Sequence, residues 1–225
     1  MTEYDWNFGL IWEYRAYFGK GMLVTLKLMA LTIVFAIPFG LAVALLRMRT
    51  QWFPRAMGAA IVDVTRAVPP LVWVVWGYYC LPVITGITLS GMTTVVMALA
   101  LYTGVFFAEI FRAGLQAVDR GQIEAAYAGG MNSLQVLRRI TGPIAFLRVL
   151  PPFTSQCVLV IKNTSLASFV AIPELLYEGQ RLSVFSFRPM ELLTFVAVCY
   201  CAFILPLTAL ANKLDDKVRL RYFGR

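Results

Sequence analysis

Arg66 and Lys162 are each a cation set well inside an apolar stretch of the chain. A charge near the centre of a membrane helix costs about 2.5–3.5 kcal/mol on insertion scales, so neither side chain is expected to face lipid. Each must pair with a carboxylate, line a watery cavity, or reach to an interface. Asp63, one helical turn before Arg66, is one candidate partner; a solute carboxylate is the other. Lys162 has no acid near it in sequence, which favours contact with a solute. It is followed by Asn163, Thr164 and Ser165, so an ammonium, an amide and two hydroxyls stand on consecutive residues. The hydroxyls either bond back to carbonyls of their own helix or join the cation in holding a polar ligand. Pro69 and Pro70 follow Arg66 and should break the helix there. The freed backbone groups, tolerated at membrane depth only where they line a cavity, would form a seat suited to a carboxylate together with Arg66.

Other chemistries are excluded. The chain has no histidine, and Cys80, Cys157, Cys199 and Cys201 form no CxxC pair, so a histidine-ligated metal site or a histidine-based triad cannot form. The cysteines read as small buried hydrophobes. There is no Gly-x4-Gly-Lys-Ser/Thr run with which to cradle ATP. Glu109 and Arg112, three apart, share a helix face and are expected to form an interfacial ion pair. Trp73, Trp76, Tyr78 and Tyr79 read as an interfacial aromatic belt.

The elements that must position these residues are membrane helices. Hydrophobic residues make up 60% of the 225, against about 45–50% in soluble domains. They concentrate in five segments: Met22 to Leu46, Met57 to Ile84, Leu89 to Phe111, Ile144 to Ile172 and Leu192 to Leu210. Each is close to the roughly 20 residues that a helix needs to cross the hydrocarbon core. The net charge of +8 belongs to the connections, not to a nucleic-acid surface. Arg47, Arg49 and Arg55 in the first loop, Arg112, Arg120, Arg138, Arg139 and Arg148 in the third, and five cations of the tail lie on one side. Only Arg15, Lys20, Arg181 and Arg188 lie on the other. The positive-inside rule then puts the N-terminus outside and the C-terminus in the cytoplasm, as five spans require. Residues 1–225 read as one all-α membrane domain. The N-terminal stretch, with Glu3, Asp5 and Glu13, lacks the pattern of a cleavable signal peptide.

The third loop, Arg112 to Pro143, exceeds the usual helix–helix connection of two to eight residues. It reads as two short helices, one around Gln122 to Tyr127 and one over Ser133 to Ile140, on either side of Gly129-Gly130, with Pro143 opening the next span. Within it, Glu124-Ala125-Ala126, Gly130, Ile140 and Pro143 stand at the spacing Glu-Ala-Ala-x3-Gly-x9-Ile-x-Leu-Pro. This resembles the EAA loop of ABC importer permeases. Gly142 stands where that pattern has Leu, a departure expected to loosen packing at the start of the fourth span. Arg66 to Pro70 resembles the Arg-Gly-Thr-Pro element of the polar amino-acid permeases, with Ala67-Val68 for Gly-Thr. Lys162 to Leu166 resembles their Lys-Asp-Thr-Ser-Leu element, with Asn163 for Asp. Ala108-Glu109, Arg112-Ala113-Gly114, Gly121-Gln122 and Gly21, Thr25, Leu26 also match, so the likeness spans nearly the whole chain. The chain is similar to permeases for histidine, glutamine, glutamate and arginine.

The resemblance implies a type I ABC importer permease fold of five transmembrane helices, in the inner (plasma) membrane of a bacterial cell. It implies a transport subunit that is not itself an enzyme. A separate ATP-binding cassette dimer would bind ATP and magnesium and receive the loop through Glu124, Ala125, Ala126 and Gly130. A second permease copy or paralogue would complete the pathway, and an external substrate-binding protein would deliver the solute. Arg66, Pro69, Lys162, Asn163, Thr164 and Ser165 are the expected substrate contacts. Two intramembrane cations, with Asn163 in place of an acid, point to acidic or neutral polar amino acids, or opine-like compounds, over arginine or lysine. The alternative is a stand-alone secondary transporter or channel, which would need no docking loop and usually carries internal repeats; none is detectable. A membrane-embedded enzyme has no catalytic constellation to stand on.

Overall fold

The computed structural model describes residues 5–222, with side chains described through Lys217. The described elements are helical: α1 (Gly9–Glu13), α2 (Arg15–Arg47), α3 (Trp52–Ala67), α4 (Pro70–Thr85), α5 (Gly91–Gln116), α6 (Arg120–Ala128), α7 (Ser133–Val136), α8 (Gly142–Thr164), α9 (Leu175–Ser186) and α10 (Pro189–Tyr222). A π turn, Leu137–Thr141, leads into α8, and a 3-10 turn, Ser165–Val170, follows it. Four stretches are long and apolar enough to cross a membrane: Arg15–Arg47, Gly91–Gln116, Ser133–Val170 and Pro189–Lys217. The bent pair α3 and α4 makes a fifth if counted as one span. Lipid offers backbone groups no hydrogen-bond partner, so these runs fold into helices that satisfy themselves.

The break between α3 and α4 is written in the sequence. A proline disfavours helical geometry in the residue before it, and two successive prolines impose this twice. Val68 (φ −99°, ψ 129°) and Pro69 (φ −58°, ψ 144°) are accordingly both extended. Pro70 then opens α4 at a first-turn position that needs no N–H donor. The two helices meet at 96°. At its far end α4 stops at Gly86, whose φ of +71° is the left-handed conformation that glycine adopts at helix C-termini.

By contacts the chain divides into two compact units. One comprises residues 1–33, 69–99 and 159–207; the other comprises 34–68, 100–158 and 208–225. In the first, Leu28, Val74, Val95, Leu99 and Val170 form one buried cluster, and Phe18, Leu175, Leu182, Leu192 and Val196 form another. In the second, Val43, Val62, Val105 and Ala108 pack together, as do Ala36, Ala100 and Phe107. Trp73 and Tyr78 lie half-buried against the first of these clusters, whereas Trp76 and Tyr79 are exposed. Of the four aromatics expected in a belt, two therefore face outward and two pack against the core.

Small residues let the helices approach closely, as is usual in lipid. A Cβ on Gly40 would come within 2.6 Å of Gly104 O, and one on Gly114 within 2.3 Å of Val149 Cγ2. Gly179 meets Val196 in the same way, at 2.4 Å.

Two expectations need correction. The second short helix of the third loop is not separate: α7 runs through the π turn directly into α8, so that Ser133–Val170 is one continuous helical run with an apolar stretch within it. Gly142 does not loosen that junction. A Cβ there would stand 2.7 Å from Leu137 O, so glycine is the residue the widened turn accommodates. The fourth loop also contains a helix, α9, which was not among the expected elements.

Candidate functional site

The loop between α5 and α8 is built by local capping. Asp119 caps α6, accepting from Gly121 N at 2.7 Å. Asn132 and Gln135 form a reciprocal capping box on α7, each bond 2.9 Å. Between them Gly130 takes φ +80°, which costs glycine nothing and reverses the chain. Glu124 and Ala125 are exposed on α6 and Ala126 is buried beneath them. The loop also exposes Tyr127 (48%), Leu134 (71%) and Leu137 (50%). Tyr127 lies on α6, outside the stretches long and apolar enough to cross a membrane, and Leu134 and Leu137 lie at the start of one of them.

Glu109, at the end of α5 that leads to this loop, binds two guanidiniums. Its Oε2 accepts from Arg112 Nη2 at 2.9 Å, and its Oε1 pairs with Arg47 at the end of α2. The expected Glu109–Arg112 pair is present, and Arg47 is the partner that sequence spacing could not supply.

The expected substrate contacts fall in both units. Arg66 is exposed at the end of α3, with its guanidinium carbon 5.3 Å from the centroid of the Phe106 ring, a cation–π approach. Asp63 is exposed too, and the two form no ion pair. Pro69 is exposed at the bend, in extended geometry. On α8 Lys162 is exposed and Asn163 half-buried. Thr164 is fully buried and donates to Ile161 O at 2.6 Å; Ser165 donates to Lys162 O at 2.7 Å. Both hydroxyls therefore bond back into the helix. They keep their lone pairs as acceptors.

One group escaped sequence reasoning. Glu174 is completely buried. It caps α9, accepting from Leu176 N at 2.9 Å and Tyr177 N at 2.8 Å, and from the Tyr200 hydroxyl at 2.9 Å. Thr25 Oγ1 lies 3.4 Å from the same carboxylate, and accepts from Leu175 N at 3.1 Å. Thr164 flanks the Tyr200 hydroxyl, which links the Lys162–Ser165 run to this cluster. Burial pushes the Glu174 carboxyl above its ordinary value, against the hydrogen bonds that favour its ionised form. An acid directly after Pro173 is a helix-start signal; its burial is not a local property and left no trace in sequence.

Comparison with known proteins shows which family the chain belongs to. Residues 36–220 match the binding-protein-dependent transport system inner membrane component family. The chain is a member of that family. It is 34% identical over 208 residues to the probable glutamine ABC transporter permease protein of Bacillus subtilis (strain 168), covering 90% of this chain and 94% of that one. It is 32% identical over 212 residues to the octopine transport system permease protein of Rhizobium meliloti, covering 91% and 85%. The crystal structure of an amino acid ABC transporter with histidines superposes with a TM-score of 0.87 at 27% identity, over 95% of this chain and all of that one. The protein is a permease subunit of an ABC importer, a multi-pass protein of the bacterial inner membrane.

Proposed function

We propose that the importer carries acidic or neutral polar amino acids, or opine-like compounds, and that this subunit is driven by a separate ATPase seated on the α6–α7 loop. The observation that carries the second part is the loop itself: a capped helix pair that exposes Tyr127, Leu134 and Leu137 beside Glu124. Such a knob suits a groove in a partner and passes rigid-body motion to α8, with which α7 is continuous. ATP and magnesium belong to that partner. Glu124, Ala125, Ala126 and Gly130 make the contact. A second permease copy or paralogue completes the pathway, and an external binding protein delivers the solute. The N-terminus lies outside and the C-terminus in the cytoplasm, with residues 1–225 acting as one permease domain.

The substrate class rests on Arg66 and Lys162, two cations on apolar helices, and on the relatives named for glutamine and octopine transport. Pro69, Asn163, Thr164 and Ser165 complete the proposed contacts. The decisive experiment is ATPase activity in proteoliposomes holding this chain, its ATPase and its binding protein, with amino acids added one at a time. Stimulation by glutamine, glutamate or an opine is expected. A strong preference for arginine would overturn the charge reasoning. Glu124→Lys should abolish solute-stimulated ATP hydrolysis while leaving the amount of protein in the membrane unchanged; full transport by that variant would remove the loop from the account.

A further inference from the structure

The junction of α2 and α3 opens onto a cleft of about 530 Å³. Arg47, Arg49, Thr50, Arg55, Arg112 and Gln116 line it. Arg47 and Arg112 are held by Glu109, and Arg112 Nη1 donates to Gln116 Oε1 at 2.9 Å. The Nε of Arg112 is buried without a hydrogen-bond partner among the described residues, a donor that a native site normally satisfies. Arg49 and Arg55 are exposed and belong to no ion pair among the described residues. Asp63 and Arg66 lie within Coulombic reach of Arg47. Guanidiniums therefore outnumber carboxylates around the cleft, which focuses a positive potential there. Planar N–H forks of this kind match phosphate oxygens.

The surroundings identify which phosphate. On the first turn of α3, Trp52 and Phe53 are 74% and 63% exposed and pack edge to face, ring centroids 5.8 Å apart. Exposed aromatics at the end of an apolar span mark the membrane–water interface. The last turns of α2 carry the exposed Leu41 and Leu45, an apolar strip ending at the cleft. A ligand suited to both parts has an anionic phosphate head and acyl chains. We propose that this cleft binds the headgroup of an anionic phospholipid, with Arg49 and Arg55 as its free donors and Arg112 Nε as an inner one.

The test uses the full chain, extracted in mild detergent with the subunits that accompany it. Native mass spectrometry would follow bound lipid while phosphatidylglycerol and phosphatidylcholine are supplied in equal amounts. The wild type should retain phosphatidylglycerol through delipidation that strips phosphatidylcholine. In the Arg49→Gln/Arg55→Gln double variant, half-saturation by phosphatidylglycerol should require roughly thirtyfold more lipid, given what each cation near a membrane surface contributes. Excess inorganic phosphate should not displace the lipid. Equal retention of the two lipids by the wild type overturns the proposal. So does displacement by inorganic phosphate, which would make this a free-anion site. Unchanged lipid binding with loss of the ATPase subunit from the double variant also overturns it, and would make the cleft a protein-docking face. If the double variant is not recovered from the membrane, Trp52 decides. Brominated phosphatidylglycerol should quench its fluorescence, measured against Trp52→Phe, more than brominated phosphatidylcholine does; equal quenching overturns the proposal.

Discussion

Glu174 fastens α9 to its surroundings through donors from three places in the chain: its own helix start, Tyr200 of α10 and Thr25 of α2. Replacing it with alanine strands two backbone N–H groups and a hydroxyl in a site without solvent. Glu174→Ala should therefore destabilise the protein by about 2–4 kcal/mol, read as a lowered thermal midpoint in detergent. Glu174→Gln keeps the size and an acceptor oxygen and should cost less. The same carboxyl makes a pH prediction. Its folded-state pKa is raised by burial, so the folded protein holds this proton more tightly than the unfolded chain does. The resulting stability is fully present below the unfolded value and is lost as pH rises through the folded one. The thermal midpoint of the wild type should fall over that interval, and Glu174→Gln should flatten the slope. An unchanged slope in the variant would assign the titration to another group.

The helices meet through glycines at specific places. Gly114 lies on the face of α5 turned to α8, where Val149 Cγ2 would stand 2.3 Å, and Ala145 O 3.2 Å, from a Cβ. Valine here must push the two helices apart. Gly114→Val is expected to lower stability by about 1–3 kcal/mol, the usual cost of overfilling a packed contact, measured by thermal unfolding in detergent. Behaviour like that of the wild type would mean that α5 and α8 have room to separate. The π turn before α8 follows the same logic on a smaller scale. Its extra residue brings Leu137 O against position 142, and glycine alone leaves space for it.

Topology turns on the bent pair. If α3 and α4 cross together, the chain has five spans and its ends lie on opposite faces; if they enter and return, it has four and the ends share a face. The distribution of cations argues for five. With the native cysteines replaced, Asn7→Cys should label from the external side of right-side-out vesicles. Lys213→Cys should label only after permeabilisation. Labelling of both from outside would make the α3–α4 pair re-entrant and reverse the placement of the tail.

The sequence by itself determined the membrane class, the places of the spans and the break at Pro69-Pro70, because hydropathy and proline stereochemistry act within a few residues of their cause. It also marked the two short helices on either side of Gly129-Gly130, since helix preference and glycine turns are set by local backbone geometry; the caps Asp119 and Asn132 appeared only in the structure. Tertiary structure decided the rest. Arg47 reaches Glu109 from sixty-two positions away, and Thr25 meets Glu174 across 149; no spacing rule links such pairs. Trp73 and Tyr78 pack half-buried against a core cluster for the same reason. Thr164 and Ser165 bonded back to their own helix, and which of two available partners a hydroxyl takes depends on what packs beside it. Burial of Glu174 belongs to this second group: a proline-led acid announces a helix start, but only the packing of α2, α9 and α10 removes its water.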